Sequence, residues 1–220
     1  MFGEVEIVPD VPRAFAARVI DAFIDRPDAT FSLAVSGGGT ARRCYERLAV
    51  DGAEAIDWWA VDLFWGDERC VAPDSEASNE RLVREALLER VGAANEVHPM
   101  RCGEGPDPYQ LKLSNLPAID LIHLGMGPDG HTASLFLGSP ALDADAGRLV
   151  VMNTDPSGRN PHERMTITFS AIARARLVLI TVEGEDKREA FARVQAGEDV
   201  PVSRIRAPRV VWLVDPAAAG

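Results

Sequence analysis

The sequence predicts an α/β protein with a mostly parallel, doubly wound, Rossmann-like sheet covered by helices on both faces. Short apolar runs of strand length recur along the chain, turn residues follow them, and a helical pattern follows most of these turns. Strands that alternate with helices are joined by right-handed crossovers into a parallel sheet that is buried on both faces. No repeat or long linker interrupts the chain, so we expect a single domain over residues 1–220.

The first part of the chain contains three strand and helix pairs. Strands are predicted over residues 4–8, 31–35 and 59–65, and helices over 11–24, from about 40 to 48, and over 78–91. In the first helix Val11, Phe15, Val19 and Phe23 recur at helical spacing, which is typical of a buried face. Ser78 has the side chain of a good N-cap and is expected to start the third helix.

The second part continues the same alternation. Strands are predicted over residues 119–124, 149–153, 165–169, 177–182 and 210–214, with a short helix after residue 131 and a longer one over 186–195. Ligands of parallel sheets bind beyond the carboxyl ends of the strands. The loops that follow these strands are therefore the places where functional residues are expected.

Composition excludes several classes of function. The formal net charge is −11 and the isoelectric point is near 4.8, so the surface repels phosphate backbones and we expect no nucleic-acid partner. No apolar run approaches the roughly 20 residues of a membrane span, and the acidic N-terminus does not resemble a signal peptide. We therefore expect a cytoplasmic protein without a membrane partner.

The cysteines favour reduced thiols. Cys44, Cys70 and Cys102 are odd in number and widely spaced, with no Cys-x-x-Cys pair. This pattern indicates neither a disulfide nor a zinc framework. No motif with metal-ligand spacing is present either, so we expect neither a metal nor another cofactor.

Two strand-end loops carry groups suited to an anion. Ser36, Gly37, Gly38, Gly39 and Thr40 follow the second strand and precede a helix. Glycines let backbone N–H groups approach an anion, and the helix N-terminus adds partial positive charge. Arg69 ends the Gly-Asp-Glu-Arg segment after the third strand and offers a planar fork for a phosphate, although a solvated loop with an internal ion pair is the alternative.

A third loop carries a histidine. Residues 125–130 formally match Gly-x-Gly-x-x-Gly, but Asp129 stands where a pyrophosphate requires neutral donors, so a dinucleotide is not expected. The glycines, Gly127 among them, instead bring the backbone close to a substrate, while Asp129 and His131 project into the site. A histidine of ordinary pKa, about 6.5, accepts a proton from water at neutral pH. Lys187 follows a later strand in the same way.

Together these segments resemble the 6-phosphogluconolactonase family over nearly the whole chain. The resemblance rests on Ser-Gly-Gly-Gly-Thr at 36–40, Trp-Gly-Asp-Glu-Arg at 65–69, Ser-Asn at 78–79, Leu-Gly-Met-Gly-Pro-Asp-Gly-His-Thr-Ala-Ser-Leu-Phe at 124–136, Glu-Arg-Met-Thr-Ile-Thr-Phe at 163–169, and Lys187. Gly39 stands where the family usually has serine, Leu137 replaces a usual proline, and residues 71–77 are looser than the family version. The family shares its fold with glucosamine-6-phosphate deaminases.

The resemblance implies hydrolysis of 6-phospho-D-glucono-1,5-lactone to 6-phosphogluconate, in the oxidative branch of the pentose phosphate pathway. It makes His131 the general base that activates water, with Asp129 orienting it or contacting sugar hydroxyls. The binding groups for the sugar-phosphate lactone become Ser36, Gly37, Gly38, Gly39, Thr40, Arg69, Gly127, Arg164 and Lys187. Backbone N–H groups between Gly127 and Gly130 are candidates for stabilising the oxyanion.

The sequence leaves two alternatives open. A deaminase or isomerase on the same fold normally continues the Asp-Gly-His motif with Ile-Ala-Phe-Asn-Glu-Pro, whereas this chain has Thr-Ala-Ser-Leu-Phe-Leu at 132–137. A non-catalytic sugar-phosphate sensor needs a further domain, and no spare segment exists for one. The sequence does not fix the oligomeric state; a monomer is favoured.

Overall fold

Residues 2–220 of the computed structural model are described here. The strands are β1 Glu4–Ile7, β2 Phe31–Val35, β3 Val61–Trp65, β4 Asp67–Arg69, β5 Glu96–His98, β6 Ile119–Gly125, β7 Val150–Asn153, β8 Arg164–Ile167, β9 Ala175–Val182 and β10 Arg209–Val214. The helices are α1 Val11–Ile24, α2 Gly39–Asp51, α3 Asn79–Val83, α4 Glu89–Val91, α5 Pro106–Asn115, α6 Phe169–Ile172, α7 Arg188–Gln195 and α8 Pro216–Ala219.

The main sheet is parallel throughout, as the sequence predicts. Its seven strands run in the order β1-β10-β9-β6-β2-β3-β5, and helices flank it. The strand β2 lies between β6 and β3 and is buried at every position, which explains its continuous apolar run. The carboxyl ends of β2, β3, β6 and β9 therefore lie next to one another at one edge of the sheet.

A second, smaller sheet was not predicted. It has three antiparallel strands in the order β4-β8-β7. The strands predicted at 149–153 and 165–169 correspond to β7 and β8, but β8 ends at Ile167 because α6 begins at Phe169, and both strands belong to this second sheet. The strand β4 consists of only three residues, Asp-Glu-Arg, all of them charged. It therefore lacks the apolar alternation by which a strand is predicted.

The predicted helices near residues 11–24, 40–48, 78–91 and 186–195 are confirmed, whereas the short helices α6 and α8 were not predicted. Ser78 caps α3 by accepting a hydrogen bond from the Arg81 amide, and a π-helical turn, Arg84–Leu88, joins α3 to α4. The predicted short helix after residue 131 is wrong, because residues 132–135 form an isolated bridge and a turn. The helix α5 was missed because Pro106 and Pro108 suggest a turn, although proline is tolerated in a first helical turn.

The expectation of three reduced thiols is also wrong. Cys70 and Cys102 form a disulfide, with 5.5 Å between their Cα atoms, and only Cys44 is free and buried. The two half-cystines lie 32 residues apart in sequence, and the fold alone brings their segments together. Cys70 directly follows Arg69, so this bond fastens the end of β4 to the segment after β5.

Within residues 2–220 no helix is both long enough and apolar enough to cross a membrane.

Candidate active site

Loops from the carboxyl ends of β2, β3, β6 and β9 enclose one cleft, together with residues of the small sheet. Its volume is about 220 Å³. The lining residues are Ser36, Gly37, Gly38, Asp67, Arg69, Asn79, Gly125, Met126, Gly127, Pro128, His131, Thr132, Ala133, Phe136, Asn160, Arg164 and Lys187. Of the residues expected from the sequence, Gly39, Thr40 and Asp129 do not line the cleft.

The glycine loop, residues 36–40, offers backbone donors to the cleft. Gly38 has φ +99° and is the N-cap of α2, so the chain turns there in a conformation that favours glycine. Within the described residues, the amides of Gly37 and Gly38 donate to no protein acceptor. Free amides at a helix N-terminus attract anions. Gly39 and Thr40 instead begin the helix, and Thr40 Oγ1 accepts from Arg43.

Gly37 is required because of its neighbour. A Cβ atom at this position would lie 1.8 Å from Oδ1 of Asn79, a side chain that is 1% exposed. Asn79 Nδ2 donates to the carbonyl oxygen of Asp67 at 2.9 Å and to its carboxylate at 3.2 Å. The buried Asn79 thus fixes the distance between the glycine loop and the loop that contains Asp67.

His131 is held by Asp129. Nδ1 of His131 lies 2.6 Å from Oδ1 of Asp129, which also accepts from the His131 amide at 3.1 Å. These hydrogen bonds lower the pKa of Asp129, so the carboxylate stays ionised and keeps the proton of the neutral imidazole on Nδ1. Nε2 of His131 is then the ring nitrogen that is available to accept a hydrogen bond from a ligand in the cleft.

The turn that carries His131 is tight. A Cβ atom at Gly127 would lie 2.2 Å from the His131 ring, and Gly130 has φ +84°. Ala133 has φ +46°, which is unusual for a residue other than glycine. The turn closes on itself, since Gly127 N donates to His131 O and Gly130 N to Gly127 O. These two amides are therefore not free to stabilise an oxyanion, and that expectation is wrong for them.

Two arginines face each other across the small sheet. Arg69 of β4 and Arg164 of β8 are direct partners in the antiparallel register, and both line the cleft. Like charges directly opposite each other are destabilising unless something compensates them. Arg164 is 5% exposed, burial lowers its pKa, and its closest carboxylate oxygen, on Asp67, is 4.0 Å away. This arrangement suits a bound anion.

The acidic residues beside Arg69 are buried, not solvated. Asp67 accepts a hydrogen bond from Ser134 Oγ at 2.7 Å, which ties the small sheet to the His131 loop. Glu68 accepts from the amides of Asn79 and Glu80 at 2.8 and 2.7 Å, so its carboxylate caps α3. Burial raises the pKa of Glu68. Neither acid forms the internal ion pair with Arg69 that the sequence allowed.

Lys187 closes the remaining side of the cleft. Its Nζ lies 3.0 Å from Asp186 Oδ2, and its side chain is 21% exposed. Lys112, the other lysine of the chain, lies on α5 and does not line the cleft. The cleft therefore collects three cationic side chains in a protein of net charge −11.

Sequence reasoning missed five polar or aromatic lining residues. Four of them lie inside quoted motifs without an assigned role: Asp67, Asn79, Thr132 and Phe136. Asn160 reaches the cleft from the 155–160 turn, where its side chain donates to Asp155. The position of Asp67 next to Arg69 could have signalled a functional carboxylate, whereas nothing local marks Asn160.

Comparison with known proteins shows the family of the chain. The sequence model described as glucosamine-6-phosphate isomerases/6-phosphogluconolactonase matches residues 6–212. The chain belongs to this family. A 6-phosphogluconolactonase from Synechocystis is 36% identical over 221 residues, which cover 91% of this chain and 88% of the relative.

Solved structures of the family have the same fold. The crystal structure of 6-phosphogluconolactonase from Leishmania guyanensis superposes with a TM-score of 0.85 and 28% identity, covering 99% of this chain and 98% of the other. A monomeric glucosamine-6-phosphate deaminase superposes with a TM-score of 0.83 at 19% identity, covering 98% of each chain. The second likeness concerns the fold alone. Within the family, this chain is an enzyme of the lactonase group.

Proposed function

We propose that the protein hydrolyses 6-phospho-D-glucono-1,5-lactone to 6-phospho-D-gluconate, with His131 as the general base. The observation that carries this proposal is the pair of His131 and Asp129 at the wall of a cleft that also holds Arg69, Arg164 and Lys187. A neutral imidazole beside a cationic pocket can activate water next to an anionic ester substrate. The 6-phosphogluconolactonases among its relatives support the same reaction.

The chemistry needs few groups. His131 Nε2 takes a proton from water while the water oxygen attacks the lactone carbonyl carbon, and the carbonyl oxygen becomes an oxyanion. When the tetrahedral intermediate collapses, the bond to the ring oxygen breaks. The imidazolium returns its proton to that leaving oxygen, so the base is regenerated. Asp129 stabilises the imidazolium in between because its carboxylate stays ionised.

Substrate binding in this proposal is local. The phosphate has three kinds of donor available: the free amides of Gly37 and Gly38, the guanidinium groups of Arg69 and Arg164, and Lys187. Binding the phosphate holds the carbonyl near His131, so the binding energy of a remote group accelerates the reaction. The amides of Gly127 and Gly130 bond within their own turn. The oxyanion is instead stabilised by a cationic side chain of the cleft.

A deaminase is the second candidate, and one observation favours keeping it in the test. Asp67 places a carboxylate on the cleft wall besides the His131 and Asp129 pair. That carboxylate, however, already accepts hydrogen bonds from Ser134 and Asn79. The segment after His131 supplies no further acid, since the next acidic residue is Asp143. A rate assay with the lactone, corrected for spontaneous hydrolysis, together with an ammonia assay on glucosamine 6-phosphate, separates the two reactions.

We also propose that the chain acts as a monomer, as one domain over residues 1–220, in the cytoplasm. Light scattering of the purified protein tests the first point. A count of free thiols in protein taken directly from cells tests the third. Three free thiols would support the cytoplasm, because disulfides are rare in a reducing cytosol; a single free thiol, with Cys70 bonded to Cys102 as in the structure, would contradict it.

A further inference from the structure

The two tyrosines of the chain hold the backbone in the same way. The Tyr45 hydroxyl lies 2.6 Å from the amide nitrogen of Ser36 and 3.2 Å from its carbonyl oxygen. The Tyr109 hydroxyl lies 2.7 Å from the amide nitrogen and 3.0 Å from the carbonyl oxygen of Trp65. Ser36 follows the last residue of β2 and Trp65 ends β3, so each tyrosine fixes the point at which a strand enters a loop of the cleft.

Tyr45 is the first of three buried side chains that are linked in series by hydrogen bonds. Its hydroxyl lies 2.8 Å from Nδ1 of His123, and Nε2 of His123 lies 3.0 Å from Oγ1 of Thr181. Tyr45 and His123 have no exposed surface, and Thr181 is 3% exposed. Burial lowers the pKa of His123 to about 3, so the ring is neutral and acts as a relay of hydrogen bonds. These hydrogen-bonded side chains thus connect α2, β6 and β9 to the glycine loop.

The glycine loop depends on this anchor. Ser36 is the last residue before Gly37 and Gly38, which line the cleft and whose amides donate to no protein acceptor within the described residues. Both backbone polar groups of Ser36 are satisfied by the one hydroxyl of Tyr45. The glycines that follow Ser36 do not hold the loop in one conformation by themselves, because glycine has more accessible backbone conformations than other residues. If the hydroxyl is removed, Ser36 keeps a buried donor without a partner, and the loop is free to move to satisfy it.

We infer that Tyr45 is a positioning residue that sets the direction of the Gly37 and Gly38 amides for the substrate phosphate. This inference rests on the proposed lactonase function and adds to it a group that never touches the substrate. The effect of Tyr45 therefore belongs to phosphate recognition and not to the water-activating step at His131. It should be visible only with a ligand that carries a phosphate.

The test compares Tyr45→Phe with the wild type on two substrates, 6-phospho-D-glucono-1,5-lactone and unphosphorylated D-glucono-1,5-lactone. We expect KM for the phosphorylated lactone to rise about 5- to 100-fold, with kcat changed less than about threefold. kcat/KM for the unphosphorylated lactone should stay within about twofold. The matched control is Ser32→Ala, which removes a hydroxyl bonded to Asp120 at the opposite end of the same strand, far from the cleft; it should leave KM unchanged.

Equal losses on both lactones, or a fall in kcat with unchanged KM, would overturn the inference, because either indicates general damage or a role in the chemical step. If Tyr45→Phe does not fold, Thr181→Val tests the far end of the same chain and should show a smaller rise in KM of the same selectivity. Calorimetric binding of inorganic phosphate and of 6-phosphogluconate separates this inference from the proposed function. A wild type that binds both but hydrolyses neither lactone contradicts lactonase activity, while weaker binding in Tyr45→Phe still supports the role of Tyr45.

Discussion

Nδ1 of His131 lies 2.6 Å from the carboxylate of Asp129, two residues earlier in the same turn. A pair so close in sequence needs a sharply folded backbone, and Gly127 and Gly130 provide it, one by leaving space for the ring and the other by its positive φ. The result is an imidazole with a fixed orientation and a single free nitrogen. The predictions below follow from this pair and from the cationic groups around it.

Replacing His131 by asparagine removes the proposed base and keeps a polar side chain of similar size. We expect kcat to fall roughly 10²–10⁴-fold while KM and the far-UV circular dichroism spectrum change little. His98→Asn is the matched control, since His98 stacks on Phe64 at the edge strand β5 and does not line the cleft. A folded His131→Asn protein with wild-type kcat would remove His131 from the reaction.

Asp129→Asn tests the orientation of the imidazole. The expected loss in kcat is about 10²-fold, because the ring is no longer held in one tautomer and direction. KM should change much less, since Asp129 does not line the cleft. A rise in KM with an unchanged kcat would instead mean that Asp129 contacts sugar hydroxyls.

The pH dependence of the wild type follows from the same pair. The bond to His131 lowers the pKa of Asp129, so the stabilisation it gives is present above the usual carboxyl range and lost only as the pH falls through the lowered pKa. The activity profile between pH 4 and 8 should therefore contain no limb from Asp129. A limb in this window that disappears in Asp129→Asn would contradict the assignment.

The two lysines of the chain allow a matched comparison. Lys187→Ala removes a charge from the cleft and should weaken 6-phosphogluconate binding by about 1.5–3 kcal/mol, or roughly 10- to 150-fold in Kd. Lys112→Ala removes the same charge from α5, outside the cleft, and should leave Kd within about twofold. Calorimetry on both variants decides the point; equal losses would mean that the overall charge, and not a local site, holds the ligand.

The disulfide should contribute to stability. Closing a loop between Cys70 and Cys102, 32 residues apart, restricts the unfolded chain, and its loss typically costs roughly 2–4 kcal/mol. For a chain of this size the cost corresponds to a Tm lower by about 4–16 °C. Reductant should lower the Tm of the wild type. The Tm of Cys70→Ser should be lower than that of the oxidised wild type and should not change with reductant. A wild-type Tm that ignores the reductant would contradict the bond.

The sequence predicted the parts of the fold that local patterns determine. The amphipathic spacing of α1 and the apolar run of β2 give the observed limits, Val11–Ile24 and Phe31–Val35, because burial on one or both faces imposes a regular pattern. The strand β4 escaped prediction because its Asp67 and Glu68 are buried against partners from distant segments. No local pattern encodes such long-range compensation, and the same holds for the Cys70–Cys102 bond.

Local motifs also predicted part of the cleft lining and missed the rest. Short motifs indicated the glycine loop, Arg69, His131 and Lys187, since each follows a strand whose carboxyl end meets the others. Gly39 and Thr40 were included because the motif is continuous, yet the helix α2 already begins at Gly39. Tyr45 and His123 lie behind the cleft, and only the packed structure shows that they support it.

The most direct measurement is the initial rate of 6-phospho-D-glucono-1,5-lactone hydrolysis by the wild type, with spontaneous hydrolysis subtracted and ammonia release from glucosamine 6-phosphate followed in parallel. Hydrolysis of the lactone requires one base to activate water and cationic groups that bind the phosphate. Deamination also requires ring opening and proton transfer between carbon atoms. We expect lactone hydrolysis well above the spontaneous rate, lost in His131→Asn, and no ammonia. Ammonia release at an ordinary enzymatic turnover of about 1–10³ s⁻¹, or lactone loss no faster than the spontaneous reaction, would contradict the proposed function.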